Sequence, residues 1–165
     1  MTLDFPEVLV GLTEIAVALA GFTGVVVVFG SRSAGSWFPG DRLRLVFLLE
    51  ASLTAGGFSL LALVLYTSMQ SARNAWAIVS GLWALYMLYS LFKSHQLIRK
   101  NLEHHQDIDR TANRIVFVLF SSLIALQLIN VVLWREFAPV LAALALNLAG
   151  AAMQFARLIR SAFRE

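Results

Sequence analysis

The chain has 165 residues, 59% of them hydrophobic and only 14% charged, and its mean hydropathy is +0.74. Soluble domains carry about a quarter charged residues, so this composition excludes an ordinary water-soluble globule and points to lipid as the main solvent. There is no cysteine, which excludes disulfides, thiolate metal sites and thiol nucleophiles.

The N-terminal stretch MTLDFPEVLVG contains Asp4 and Glu7 but no Lys or Arg. A cleavable signal peptide needs a basic region before its apolar run, so the first apolar segment is expected to be retained. Five segments reach the roughly 20 mainly apolar residues that a membrane span requires: 8–30, 44–66, 74–92, 115–134 and 137–155. The last two are joined by little more than WREF, which demands a tight hairpin. A single bent helix would reduce the count to four. The joined run, however, is about twice the hydrocarbon thickness and has Arg135 and Glu136 at its centre. The expected fold is therefore an all-α, polytopic transmembrane helical bundle of five spans in one domain, with a helical cytoplasmic loop at 93–114.

The basic residues sort by side. Arg32, Arg42, Arg44, Lys93, Arg99, Lys100, Arg110, Arg114, Arg157, Arg160 and Arg164 fall on one side, and only Arg73 and Arg135 on the other. By the positive-inside rule the N-terminus is outside and the C-terminus inside. Topology and anionic lipid account for these charges, so no nucleic acid is expected as a partner despite a pI near 9.8. Pro6, Pro39 and Pro139 fall at predicted helix starts, where a missing N–H costs little. Asp4 and Asp41 are expected N-caps, and Trp37, Trp76 and Trp134 are expected at the interfaces. The polar segment between spans three and four is expected to continue the third helix and to turn near 106–109.

Two carboxylates lie within spans, Glu14 in the first and Glu50 in the second. Groups of this kind face protein or water and often mark function. At about 1.5 Å per residue, Glu14 lies roughly 7 Å outside the midplane and Glu50 roughly 7 Å inside it. The same estimate brings Gln127 and Asn130 to the level of Glu14, and Gln154 to that of Glu50, with Asn147 near the middle. The spacing predicts Glu14 with Asn130 or Gln127, and Glu50 with Gln154. These six residues are the candidate ion pathway or intramembrane polar network. Their structural alternative is interhelical glue worth about 1 kcal/mol per pair.

Small residues supply candidate packing faces: Ala16, Ala20 and Gly24 in span one, Gly56 and Gly57 in span two. Span five adds a stripe of Ala138, Ala142, Ala145, Ala149, Ala152 and Ala156. Such stripes let helix backbones approach, within a subunit or between subunits. The segments EIAVALAGF (14–22) and EASLTAGGF (50–58) align without a gap on oppositely directed spans, as fragments of an inverted repeat would. Chance within an apolar alphabet is the competing explanation.

His95, His104 and His105 all lie in the 93–114 segment, so no span offers an axial imidazole for haem. There is no phosphate-binding glycine loop, nucleophile elbow or HExxH motif. No enzyme activity, metal or cofactor is expected.

The stretches LAGFTGVVVVFG (19–30) and DRLRLVFLLEASL (41–53), with Trp37 between them, resemble a pattern in small bacterial multi-pass membrane proteins of no established activity. The resemblance covers about the first third of the chain and implies a bacterial inner membrane. The expected function is a homo-oligomeric channel or permeation protein for cations or protons, with the glutamates attracting the permeant ion. The alternative is a structural or accessory subunit packed against another membrane protein in a larger complex.

Overall fold

The structure, a computed structural model, describes residues 4–29, 39–102 and 110–162. It contains five α-helices: α1 (Phe5–Phe29), α2 (Pro39–Ser68), α3 (Ala72–Leu102), α4 (Arg110–Ile129) and α5 (Phe137–Ala162). A π turn at Asn130–Trp134 continues α4. Among the described residues there is no strand. Every helix holds a stretch long and apolar enough to cross a membrane: Phe5–Val25, Arg44–Ser68, Ala72–Lys93, Phe117–Trp134 and Phe137–Arg160. The fourth and fifth stretches belong to separate helices, so the described residues hold five candidate spans rather than four.

The helix ends extend beyond the apolar blocks. Helix α2 begins at Pro39, so Asp41 lies within its first turn instead of preceding it as a cap. Pro6 and Pro139 also fall in first turns. Helix α3 continues the third span to Leu102 as expected. Trp37, His104, His105 and the turn expected near 106–109 lie outside the described residues.

Contacts divide the chain into two compact units: residues 1–68 with 141–165, and residues 69–140. In the first unit, α1 lies antiparallel against α2. Leu9, Ala16 and Thr23 recur every seventh residue and are all buried, which makes them one face of α1. The facing stripe on α2 is Leu48, Ser52, Ala55, Ser59 and Ala62. Ala16, Ala55 and Leu148 form a core cluster on which Leu12 and Leu19 pack. Phe5 and Tyr66 close one end of the α1–α2 pair edge to face, with ring centroids 5.8 Å apart.

The second unit is built on α3. Its buried stripe of Trp76, Val79, Ser80, Trp83, Ala84 and Met87 matches Leu123, Ile124, Gln127 and Asn130 from α4 and the π turn. Trp76 is buried against Phe137, with centroids 4.9 Å apart. It therefore packs inside the unit, whereas Trp134 is exposed as an interfacial tryptophan would be.

The surface of the helices is apolar and their interior is partly polar. Val17, Leu53, Leu85, Phe92 and Val132 are each about two-thirds exposed, while Ser52, Ser59, Ser80, Gln127, Asn130 and Asn147 are buried. That distribution suits lipid, which solvates leucine well and hydroxyls and amides badly.

The same preference corrects the expected packing faces. Ala16 and Gly56 are buried, but Ala20 and Ala142 are only half-buried, and Gly24, Gly57 and Ala149 are exposed. Along α5, Ala138, Ala145, Ala152 and Ala156 are exposed as well. The covered face is the neighbouring one, with Ala143, Leu144, Asn147, Leu148 and Ala151. An alanine methyl loses little in hydrocarbon, so the buried face follows the leucines and the polar side chains that lipid would strand.

Candidate functional site

Asn130 and Gln127 hold the turn between α4 and α5. The π turn ends at Arg135, whose φ of 54° and ψ of 48° place it in the left-handed region, and its N–H donates to the Asn130 carbonyl at 2.8 Å. The Asn130 side chain then clasps the next residue on both sides. Its Nδ2 donates to the Glu136 carbonyl at 3.0 Å, and its Oδ1 accepts from the Glu136 N–H at 3.0 Å. The same Nδ2 donates to Ser80 Oγ at 2.8 Å, tying the turn to α3. One turn earlier, Gln127 Nε2 donates to the Pro139 carbonyl at 2.7 Å. These two amides were expected opposite Glu14; the structure commits their donors to the hairpin and to Ser80 instead. The reason is local: four residues must reverse the chain, and the backbone groups freed there need partners.

The first unit holds a different set of polar groups. Ser52 Oγ, Ser59 Oγ, Asn147 Nδ2 and Gln154 Oε1 are buried and accept or donate no hydrogen bond. Other hydroxyls on these helices behave differently. Thr13, Thr23, Thr67 and Ser122 each donate to the carbonyl four residues back, at 2.7–2.9 Å, which is the usual outlet in an apolar environment. A buried polar atom left without a partner costs about 1–3 kcal/mol.

Ser52 and Ser59 are seven residues apart on one face of α2, and Asn147 and Gln154 are seven apart on one face of α5, each pair about 10.5 Å along its own helix axis. Leu148, next to Asn147, shares a core cluster with Ala55 of α2 and Ala16 of α1. Glu50 lies two residues from Ser52, toward the Arg44 end of the Arg44–Ser68 stretch.

The two glutamates differ in setting. Glu50 is half-buried, whereas Glu14 is exposed on the outer face of α1. Glu14 lies three residues from Val17, the middle of α1, and so about 4.5 Å from the helix centre. The register that joins Ala16 to Gly56 also crosses the two similar segments 14–22 and 50–58 at their middles. Each glutamate is level with the terminal phenylalanine of the other segment.

Among the described residues, no group of three His, Asp or Glu side chains is arranged to hold a metal. Comparison with family models, with curated proteins and with solved structures finds no match to this chain. The fold and its inverted polarity define an integral membrane protein with five apolar helices.

Proposed function

We propose that this protein is a small homo-oligomeric permeation protein for protons or cations, seated in a bacterial inner membrane with its N-terminus outside. One observation carries the proposal: the series of buried, unpartnered polar atoms of Ser59, Ser52, Asn147 and Gln154 on α2 and α5, with Glu50 beyond Ser52 toward the Arg44 end of α2. Hydroxyls and amides that lack protein partners are the lining that lets water or a partly hydrated cation enter an apolar helix interface. A carboxylate at the end of the series attracts cations to it. Given the distribution of basic residues, that end faces the cytoplasm.

The exposure of Glu14 supports self-association. A carboxylate at membrane depth is costly against lipid, and a neighbouring subunit would shield it. The exposed alanine stripe of α5 offers the close backbone approach that such contacts use. The same two surfaces fit the second reading, an accessory subunit whose partner is another membrane protein.

Purified protein in liposomes loaded with a pH- or cation-sensitive dye tests the proposal. Flux is expected with the wild-type chain and is expected to fall severalfold in Glu50→Gln. A wild-type protein that is folded and passes neither protons nor monovalent cations would sink the permeation reading. Recovery of a second protein in fixed ratio would then favour the accessory one.

A further inference from the structure

We infer that the second unit holds one ordered water, bound at mid-membrane depth between the Trp83 indole and the Gln127 side chain. The inference is independent of the permeation reading, since it concerns other helices and other atoms.

Trp83 is 1% exposed and its Nε1–H has no acceptor. Gln127 is fully buried; its Nε2 is committed to Pro139, and its Oε1 has no donor. One atom can only donate and the other can only accept. Their helices are antiparallel neighbours in a register fixed by two contacts. Asn130 Nδ2 bonds Ser80 Oγ at 2.8 Å, and a Cβ built on Gly81 would lie 3.6 Å from Val131 Cγ2. Three residues on from Ser80 is Trp83, and three back from Asn130 is Gln127, so the same register sets the two orphaned atoms at one level. Both belong to the buried stripes through which α3 and α4 meet.

A molecule that joins them must accept one hydrogen bond and donate another, and be small enough to sit between packed helices. Water meets those terms, and two complementary partners are the minimum that holds a buried water. Trp83 lies at the middle of Ala72–Lys93, and Gln127 is within about 3 Å of the middle of Phe117–Trp134. Bulk solvent is therefore more than about 10 Å away at either end, and the water exchanges slowly.

The test is a rotating-frame and laboratory-frame cross-relaxation experiment on detergent-solubilised protein with 15N-labelled tryptophan, the Trp83 signal being assigned from Trp83→Phe. The expected result is a peak linking the Trp83 Hε1 proton to the water frequency, with the sign of dipolar contact rather than chemical exchange. That peak is expected to vanish in Gln127→Leu while the Trp76 signal is unchanged. Absence of the peak in the wild-type protein would overturn the inference, as would its persistence in Gln127→Leu. Should Trp83→Phe fail to fold, changing Trp37, Trp76 and Trp134 to Phe in turn assigns the Trp83 signal by elimination.

Discussion

Ala16 of α1 and Gly56 of α2 meet so closely that a Cβ on Gly56 would lie 3.2 Å from the Ala16 Cβ. This is the tightest approach between the two helices recorded at any described glycine. Gly57, the next residue, faces open space. The pair supplies an internally controlled experiment. Gly56→Ala is expected to destabilise by about 1–2 kcal/mol through overpacking, and Gly56→Leu by more. Gly57→Ala is expected to be neutral or slightly stabilising, since alanine is the better helix former. Thermal unfolding in a mild detergent measures both, and Ala16→Gly should recover most of the loss in Gly56→Ala.

Asn130 makes three side-chain hydrogen bonds, two to the Glu136 backbone and one to Ser80. Asn130→Ala strands all three partners and is expected to cost about 2–4 kcal/mol. Ser80→Ala removes one partner and is expected to cost about 1 kcal/mol. The two losses should be less than additive in the double variant, because they share a bond. Unfolding curves for the three variants decide this.

Arg135 occupies a left-handed conformation that favours glycine, with φ of 54°. Its Nε also donates to the Val131 carbonyl at 3.3 Å from an exposed position, a weak contact. Arg135→Gly is therefore expected to hold or raise the melting temperature. Arg135→Val is expected to lower it, since a β-branched residue suits that backbone worst.

Ala145, Ala149 and Ala152 are exposed along one side of α5. On the self-association proposed above, changing all three to leucine is expected to leave the thermal stability of the chain nearly unchanged while lowering the mass toward that of a monomer. Light scattering coupled to size-exclusion chromatography, corrected for bound detergent, reads the mass. An unchanged mass would move the self-association surface elsewhere.

Much of this architecture was legible in the sequence. Apolar blocks near 20 residues, prolines at their starts and a short polar link between the last two were enough to indicate five spans, because lipid imposes length and polarity directly. The faces were harder to read. Lipid and protein interiors both accept alanine, so the α5 stripe carried no information about which side is covered. The polar residues divided for a similar reason. Spacing set Gln154 against Glu50, and of that pair the structure shows a buried, unpartnered Gln154 Oε1 and a half-buried Glu50. It misdirected Asn130 and Gln127 because their partners depend on a π turn and a left-handed residue, and hydropathy does not reveal either.

The clasp of Asn130 on Glu136 has a consequence for biogenesis. Three hydrogen bonds and a left-handed turn leave the link between the fourth and fifth helices no slack. The start of α5, which lies in the same unit, is therefore set by the π turn. A chain emerging from the ribosome would then meet the bilayer with this link already closed, and a single residue added to WREF would be felt as a lost clasp rather than as a longer loop.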